Sequence, residues 1–199
     1  MNQKVSQRNS WLKDFTSLLF FVLAVIIGTM LINTFVFRSF NVEGPSMETT
    51  LYTGDRLIVD RLPVTWAQLQ NKQYVPERGQ IIVFKNPQFT AGSPDEYIVK
   101  RVIAFAGERV SLKDGHYTVY NSAHPKGFNP DDANHGEPGG PTVGNVDVIV
   151  PDGTLFVSGD HRQGNYSFDS RNGLGYIPLY DVVGPVSIRI WPLPDVRTF

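Results

Sequence analysis

Asn41–Asp55, NVEGPSMETTLYTGD, divides the chain into two kinds of sequence. Before it lies a long uncharged apolar run ended by Arg38; after it come short β-branched runs broken by turn residues. The stretch itself is turn material, with Gly44, Pro45 and the Thr53-Gly54-Asp55 corner. Ser46 stands at its centre, between Pro45 and Met47. A serine in a surface turn ordinarily hydrogen-bonds nearby backbone. Ser46 is singled out by its place at the edge of the apolar run. Two later stretches add to this, YIVKR at Tyr97–Arg101 and GDHRQGNYSFDSR at Gly159–Arg171.

Upstream, Phe15–Phe37 reads FTSLLFFVLAVIIGTMLINTFVF, without charge or proline. At about 1.5 Å per residue such a helix crosses the roughly 30 Å hydrocarbon core of a bilayer with some tilt. Helix is the single-segment solution that satisfies every backbone polar group in lipid. A cleavable export signal would have a shorter apolar region ending in small residues, whereas this one ends Phe35-Val36-Phe37-Arg38. The run is therefore expected to be an uncleaved anchor. Lys4, Arg8 and Lys13 precede it and Arg38 alone follows closely, so the positive-inside tendency puts residues 1–14 in the cytoplasm. Residues 38–199 are then expected on the other side, tethered near the outer membrane surface.

Downstream, Arg56–Leu62, Gln80–Phe84, Tyr97–Ala106, Arg109–Leu112, Tyr117–Tyr120, Val146–Val150, Leu155–Val157 and Val182–Trp191 read as strands. Val64–Lys72 reads as a short helix. Asn121–Asn145 is rich in turn formers and poor in aliphatics, which predicts a long surface loop. The expected fold is mainly β: one N-terminal transmembrane helix followed by a β-rich extracytoplasmic domain.

Composition removes several chemistries. The chain has 199 residues and a formal net charge of −1, so nothing suggests a nucleic-acid partner. Without cysteine it has no disulfide, thiolate metal site or cysteine nucleophile. His124, Asp131, Asp132 and His135 in the long loop lack a recognised ligand spacing, so neither a metal nor another cofactor is expected. A serine hydroxyl needs a base within hydrogen-bond reach. Of the four histidines, His161 alone sits inside a motif. A lysine serves as base if burial or nearby positive charge keeps its amine neutral. Lys100 interrupts the apolar strand Tyr97–Ile103 and fits that need, although alternation leaves open whether it faces in or out.

The segments SMETTLYTGD, RGQIIVFKNP, YIVKRVIAFAGE and GDHRQGNYSFDSR follow the order and approximate spacing of bacterial type I signal peptidases. The chain resembles that family from the apolar run nearly to its C-terminus. The resemblance implies a membrane-anchored β domain that removes signal peptides from exported preproteins with a Ser–Lys dyad. It makes Ser46 the nucleophile, with its own N–H as oxyanion donor, Lys100 the general base, and Ser167 the serine that orients the lysine. Arg101, Asp160, Arg162, Asp169 and Arg171 match a structural charged cluster. Phe40, Val42, Met47 and Val99 fall where the family lines pockets for small side chains, classically alanine, at the first and third positions before the cut. It also implies the bacterial cell membrane as location, with the bilayer and signal peptides as partners.

The pattern departs at Gly44, where some members carry a serine, and at Thr49, Ala104 and Ala106. His161 takes the place of a frequent asparagine, and Gln163–Tyr166 is about two residues longer than common. Other readings compete with this one. A self-cleaving repressor with a Ser–Lys pair would carry a DNA-binding helical domain in place of the anchor. A noncatalytic relative acting as a membrane-surface assembly factor would usually lose the serine or the lysine, and both are present.

Overall fold

A computed structural model of the chain describes residues 3–92, 96–132, 134, 138 and 140–199. The apolar run is one helix, α1 (Gln3–Phe35), and its stretch Trp11–Phe35 is long and apolar enough to cross a membrane. The helix begins well before the predicted Phe15 and stops two residues before Phe37. Its last turn is tied to the domain through Arg61, whose Nε donates to the Thr34 carbonyl at 2.5 Å, and through Thr65, whose hydroxyl donates to the Phe35 carbonyl at 2.9 Å.

Phe37 opens a strand that the sequence reading took for the end of the anchor. The strand β1 (Phe37–Asn41) pairs antiparallel with β2 (Arg56–Asp60). The strands β3 (Ile81–Lys85), β4 (Tyr97–Phe105), β5 (Arg109–Lys113), β6 (His116–Tyr120), β7 (Val146–Ile149) and β8 (Thr154–Ser158) follow. The chain closes with β9 (Ile177–Pro178), β10 (Val182–Trp191) and β11 (Arg197–Thr198). The two-residue strands β9 and β11 are too short to show alternation. The helix α2 (Leu62–Leu69) starts and ends earlier than the predicted Val64–Lys72. Pro63 suits its first turn, and Asn71 just beyond adopts a left-handed conformation, φ 55°.

The larger sheet runs β1-β2-β10-β3-β4-β8-β9, with β11 on β10; the smaller runs β6-β5-β7. Strand β10 belongs to both halves of the larger sheet. Its first residues pair with β3 and its later ones with β2, with register shifts at three places. Such bulges bend a strand, so the sheet curls. The curl encloses one apolar cluster around Met47, Leu51, Leu57, Val59 and Val83, and a second around Ile82, Phe84, Val102 and Val157. The smaller sheet closes a third over Ile103, Val110, Tyr117 and Phe156.

The described residues of the segment 121–145 form no helix or strand but are not a detached excursion. Val119 bridges Phe128, the Thr142 N–H donates to the Gly115 carbonyl at 2.8 Å, and the Val143 N–H donates to the Arg162 carbonyl at 2.9 Å.

Candidate active site

Ser46 follows β1 by a few residues. The chain leaves that strand with the Val42 N–H donating to the Asp55 carbonyl at 2.9 Å, and turns at Gly44, whose φ of +81° suits glycine. The next turn closes with the Glu48 N–H on the Pro45 carbonyl and the Leu51 N–H on the Met47 carbonyl. The Met47 and Leu51 side chains drop from it into the first apolar cluster, both fully buried. Ser46 is thereby held half-exposed at the top of a rigid turn.

Lys100 projects from the middle of β4, paired to Ile82 across β3, and is 3% exposed. The question that alternation left open is answered: the lysine faces inward. Its Nζ lies 2.8 Å from Ser46 Oγ and 2.8 Å from the Val99 carbonyl. A strand residue and a turn residue 54 positions apart thus meet at hydrogen-bond distance. Among the described residues the Ser46 N–H takes no hydrogen bond, while the Ser46 carbonyl accepts from the His161 N–H at 3.1 Å.

A groove of about 520 Å³ opens beside this pair. Phe40, Val42 and Val99 line it, together with Tyr97, Ile98 and Leu57. Met47 differs: it belongs to the core and is absent from the groove wall, because the turn points it under Ser46. The sequence reading passed over Tyr166 and Phe168, which line the groove and stay 61% and 43% exposed. Exposed aromatics within a polar loop carry no periodic signal.

The charged cluster is built behind the pair. Arg101, next to Lys100 on β4, reaches Asp160 through both Nε, at 2.8 Å, and Nη2, and its Nη1 donates to the Gly79 carbonyl at 2.8 Å. The Thr50 hydroxyl donates to the same Asp160 carboxylate at 2.6 Å. Arg162 is paired instead with Asp131, at 2.8 Å from both guanidinium ends, and its Nε donates to the Gly159 carbonyl at 2.8 Å. Burial opposes the Arg162 charge, yet the Asp131 pair prevails and holds its pKa above the ordinary value. Asp131 comes from the long loop, and no local pattern marks its distant partner. Asp169 binds Arg171 Nε at 3.2 Å, the Gly159 N–H at 3.0 Å and the Ser167 hydroxyl at 2.6 Å. Below it the Tyr117 hydroxyl, pushed up to about 12 by burial and then by the Asp169 charge, donates to Ser158 Oγ at 3.2 Å.

Ser167 therefore directs its hydroxyl at Asp169, and the described hydrogen bonds of Lys100 run to Ser46 and to its neighbour's carbonyl. Ser167 is nonetheless adjacent to the pair. A Cβ on Gly159 would collide with both Ser167 Oγ and the Ser46 carbonyl oxygen, so glycine is required for the three to close up. Among the described residues no three His, Cys, Asp or Glu side chains gather as a metal site would need; His135 lies outside those residues.

Residues 11–191 match the family model described as Signal peptidase, peptidase S26. Signal peptidase I of Bacillus licheniformis is 32% identical over 180 residues, covering 88% of each chain. Probable signal peptidase I-2 of Synechocystis is 33% identical over 190 residues, covering 94% of this chain and 77% of its own. A signal peptidase I crystal structure from Enterococcus faecalis is 24% identical, with a TM-score of 0.43 over 57% of this chain and 97% of that one.

Proposed function

The chain belongs to the type I signal peptidase family of serine endopeptidases, and on that premise we propose that it cuts signal peptides from preproteins with Ser46 as nucleophile and Lys100 as general base. The observation that carries this reading is the 2.8 Å approach of a buried lysine amine to a half-exposed serine hydroxyl at the end of a groove.

In this mechanism the neutral Lys100 amine takes the Ser46 proton as the hydroxyl oxygen attacks the carbonyl before the scissile bond. The resulting ammonium protonates the leaving amine, and an acyl-enzyme remains on Ser46. The amine, neutral again, takes a proton from water, whose oxygen attacks the ester; the ammonium returns that proton to Ser46 Oγ as the new C-terminus departs. Burial favours the neutral amine, because moving a charge from water into apolar surroundings is costly. The Val99 carbonyl orients it. The oxyanion is assigned to the Ser46 N–H, since Pro45 has no N–H to offer.

The substrate lies extended in the groove beside the open edge of β1, with alternate side chains entering the wall formed by Phe40, Val42 and Val99. These close walls favour small residues at the first and third positions before the cut. Ser167 supports the pair through the packing at Gly159, and Arg101, Asp160, Arg162, Asp169 and Arg171 form the scaffold behind it. The uncharged part of α1, from Phe15 on, anchors the enzyme in the bacterial cell membrane, with residues 1–14 cytoplasmic and the β domain outside. Reaction occurs close to the bilayer surface, where a signal peptide emerges.

The test is cleavage of a model preprotein carrying an Ala-x-Ala site, in detergent, by wild type, Ser46→Ala and Lys100→Ala. Cutting after the second alanine by wild type, with each variant lower by about 10³-fold or more, is expected. A Lys100→Ala variant that cuts at the wild-type rate removes the lysine from the mechanism. Inert but folded wild type would favour an assembly role at the membrane surface.

A further inference from the structure

We propose that His161 is a positioning residue for the oxyanion donor: its ring holds and polarises the Pro45–Ser46 peptide unit whose N–H faces the reacting carbonyl. The inference rests on the Ser46 chemistry proposed above and assigns a device that tunes it.

His161 Nδ1 lies 3.1 Å from the Pro45 carbonyl oxygen. A carbonyl accepts and never donates, so Nδ1 must carry the hydrogen. The Pro45–Ser46 bond is trans, so its C=O and N–H are coplanar and point in opposite directions. A donor on the oxygen therefore fixes the plane that sets the aim of the Ser46 N–H. It also draws electron density toward that oxygen, which strengthens the N–H as a donor; coupled hydrogen bonds polarise one another in this way. The backbone of the same residue supplies the second half of the clamp, its N–H donating to the Ser46 carbonyl at 3.1 Å. Both carbonyls that bracket the nucleophile thus accept from His161, which adds a side-chain donor to the Glu48 N–H already on the Pro45 oxygen at 3.1 Å.

The ring is itself fixed. It stacks on Tyr166 with centroids 4.6 Å apart and planes 27° from parallel, and Tyr166 lines the substrate groove. Glu48 faces the same nitrogen, its carboxylate 3.8 Å away, and favours a ring with hydrogen on Nδ1. The ring does not touch Ser46 Oγ's partner Lys100 in any described bond, so its contribution is separable from proton transfer.

The test compares His161→Phe, His161→Asn and His161→Gln with wild type in the full-length protein, and Ser46→Ala is the control for the underlying reading. Phenylalanine keeps an aromatic ring against Tyr166 and removes the donor. Asparagine places an amide N–H near the Nδ1 position, while glutamine carries it one methylene too far. Steady-state kinetics on the model preprotein should give His161→Phe a kcat lower by about 10-fold, less than the 10²–10³ for deleting an oxyanion donor outright, with KM within about twofold. Asparagine should restore most of kcat and glutamine should not. A peptide boronate ending in the same Ala-x-Ala sequence, whose adduct with serine is tetrahedral and anionic, should bind His161→Phe about 10-fold more weakly. A plain uncleaved peptide should bind both forms alike.

Thermal melting identifies any variant that unfolds. If phenylalanine does, the asparagine–glutamine contrast alone decides. The proposal is overturned if His161→Phe turns over at the wild-type kcat, if asparagine and glutamine are equal, or if the whole loss lies in KM. Cleavage surviving in Ser46→Ala would instead overturn the Ser46 reading, which keeps the two failures distinct.

Discussion

Lys100 and Arg101 are consecutive on β4, both cationic by type and both nearly inaccessible, yet the fold gives them opposite environments. Alternation sends them to opposite sides of the strand. Arg101 meets a carboxylate fork: two guanidinium nitrogens on Asp160, a third on the Gly79 carbonyl, and Thr50 completing the Asp160 shell. Lys100 meets a hydroxyl and a carbonyl in its described bonds, beside the groove. The first site fixes a charge permanently; the second suits a group that must gain and lose one. Arg, with a pKa above 12 and a planar fork, fits the first task, and Lys, whose pKa moves readily on burial, fits the second. On the proposed mechanism, one dipeptide divides scaffold from chemistry.

The largest test exchanges the two roles. Lys100→Arg installs a larger side chain that stays protonated at any working pH. Cleavage should fall by about 10³-fold or more at a temperature where the variant remains folded, and the thermal transition should drop, because a permanent charge replaces a neutral amine in a buried site. An arginine variant retaining even a tenth of the wild-type rate would break the comparison, since proton exchange at position 100 would then be unnecessary. On the other side of the strand, Arg101→Met leaves Asp160 buried without its fork. Loss of one partner of a buried pair costs about 3–5 kcal/mol, which urea unfolding would register. Arg101→Met should still cut, at a temperature where it remains folded, at a rate within about tenfold of wild type.

How far this division was legible in the sequence depended on the range of the interaction. The anchor, most strands and the candidate pair Ser46 and Lys100 were read from local runs and from spaced motifs. Strand β1 was hidden because Phe37 continues the apolar run; what makes it a strand is pairing with Asp60 on β2, which no local pattern records. Met47 was assigned to the groove by the family resemblance, and the tight turn sends it to the core instead. The cluster was identified by the family resemblance, but its pairing was not. Arg162 takes Asp131 from a loop that composition alone marked as solvent-exposed. Long-range ion pairs depend on the finished fold, so charge in a loop gave no warning of them.

A smaller effect sharpens the contrast through pH. If the Lys100 amine must be neutral, kcat/KM rises with pH and levels off at the pKa of that amine in the free enzyme. Burial should put the midpoint below the value of about 10.4 for an exposed lysine. Arg101→Lys, which leaves a cation on the other side, should preserve that midpoint within about half a unit while lowering stability through loss of the fork. A midpoint at or above that of an exposed amine would mean that burial at position 100 does not neutralise the lysine, and the two sides would no longer differ in kind.

The weakest effect concerns stability alone, at a carboxylate remote from the groove. Burial raises the Glu108 pKa, but hydrogen bonds from Arg78, Asn121 and the Phe105 N–H, with the Arg78 charge, outweigh it and leave the value lowered. The Arg78 contact is 2.7 Å long. Because the folded value lies below the unfolded one, near 4.3, the unfolded chain binds more protons between the two, and stability rises with pH there. The contribution is complete above about 4.3 and is lost as pH falls through the folded value. Glu108→Gln should therefore flatten the acid limb of a denaturation profile while leaving cleavage near neutral pH unchanged. Glu108 resembles Asp160 in being a carboxylate paired with an arginine, so its removal should act on the fold without touching the step proposed for Lys100. A drop in kcat at neutral pH in that variant would mean that scaffold charges reach the dyad after all.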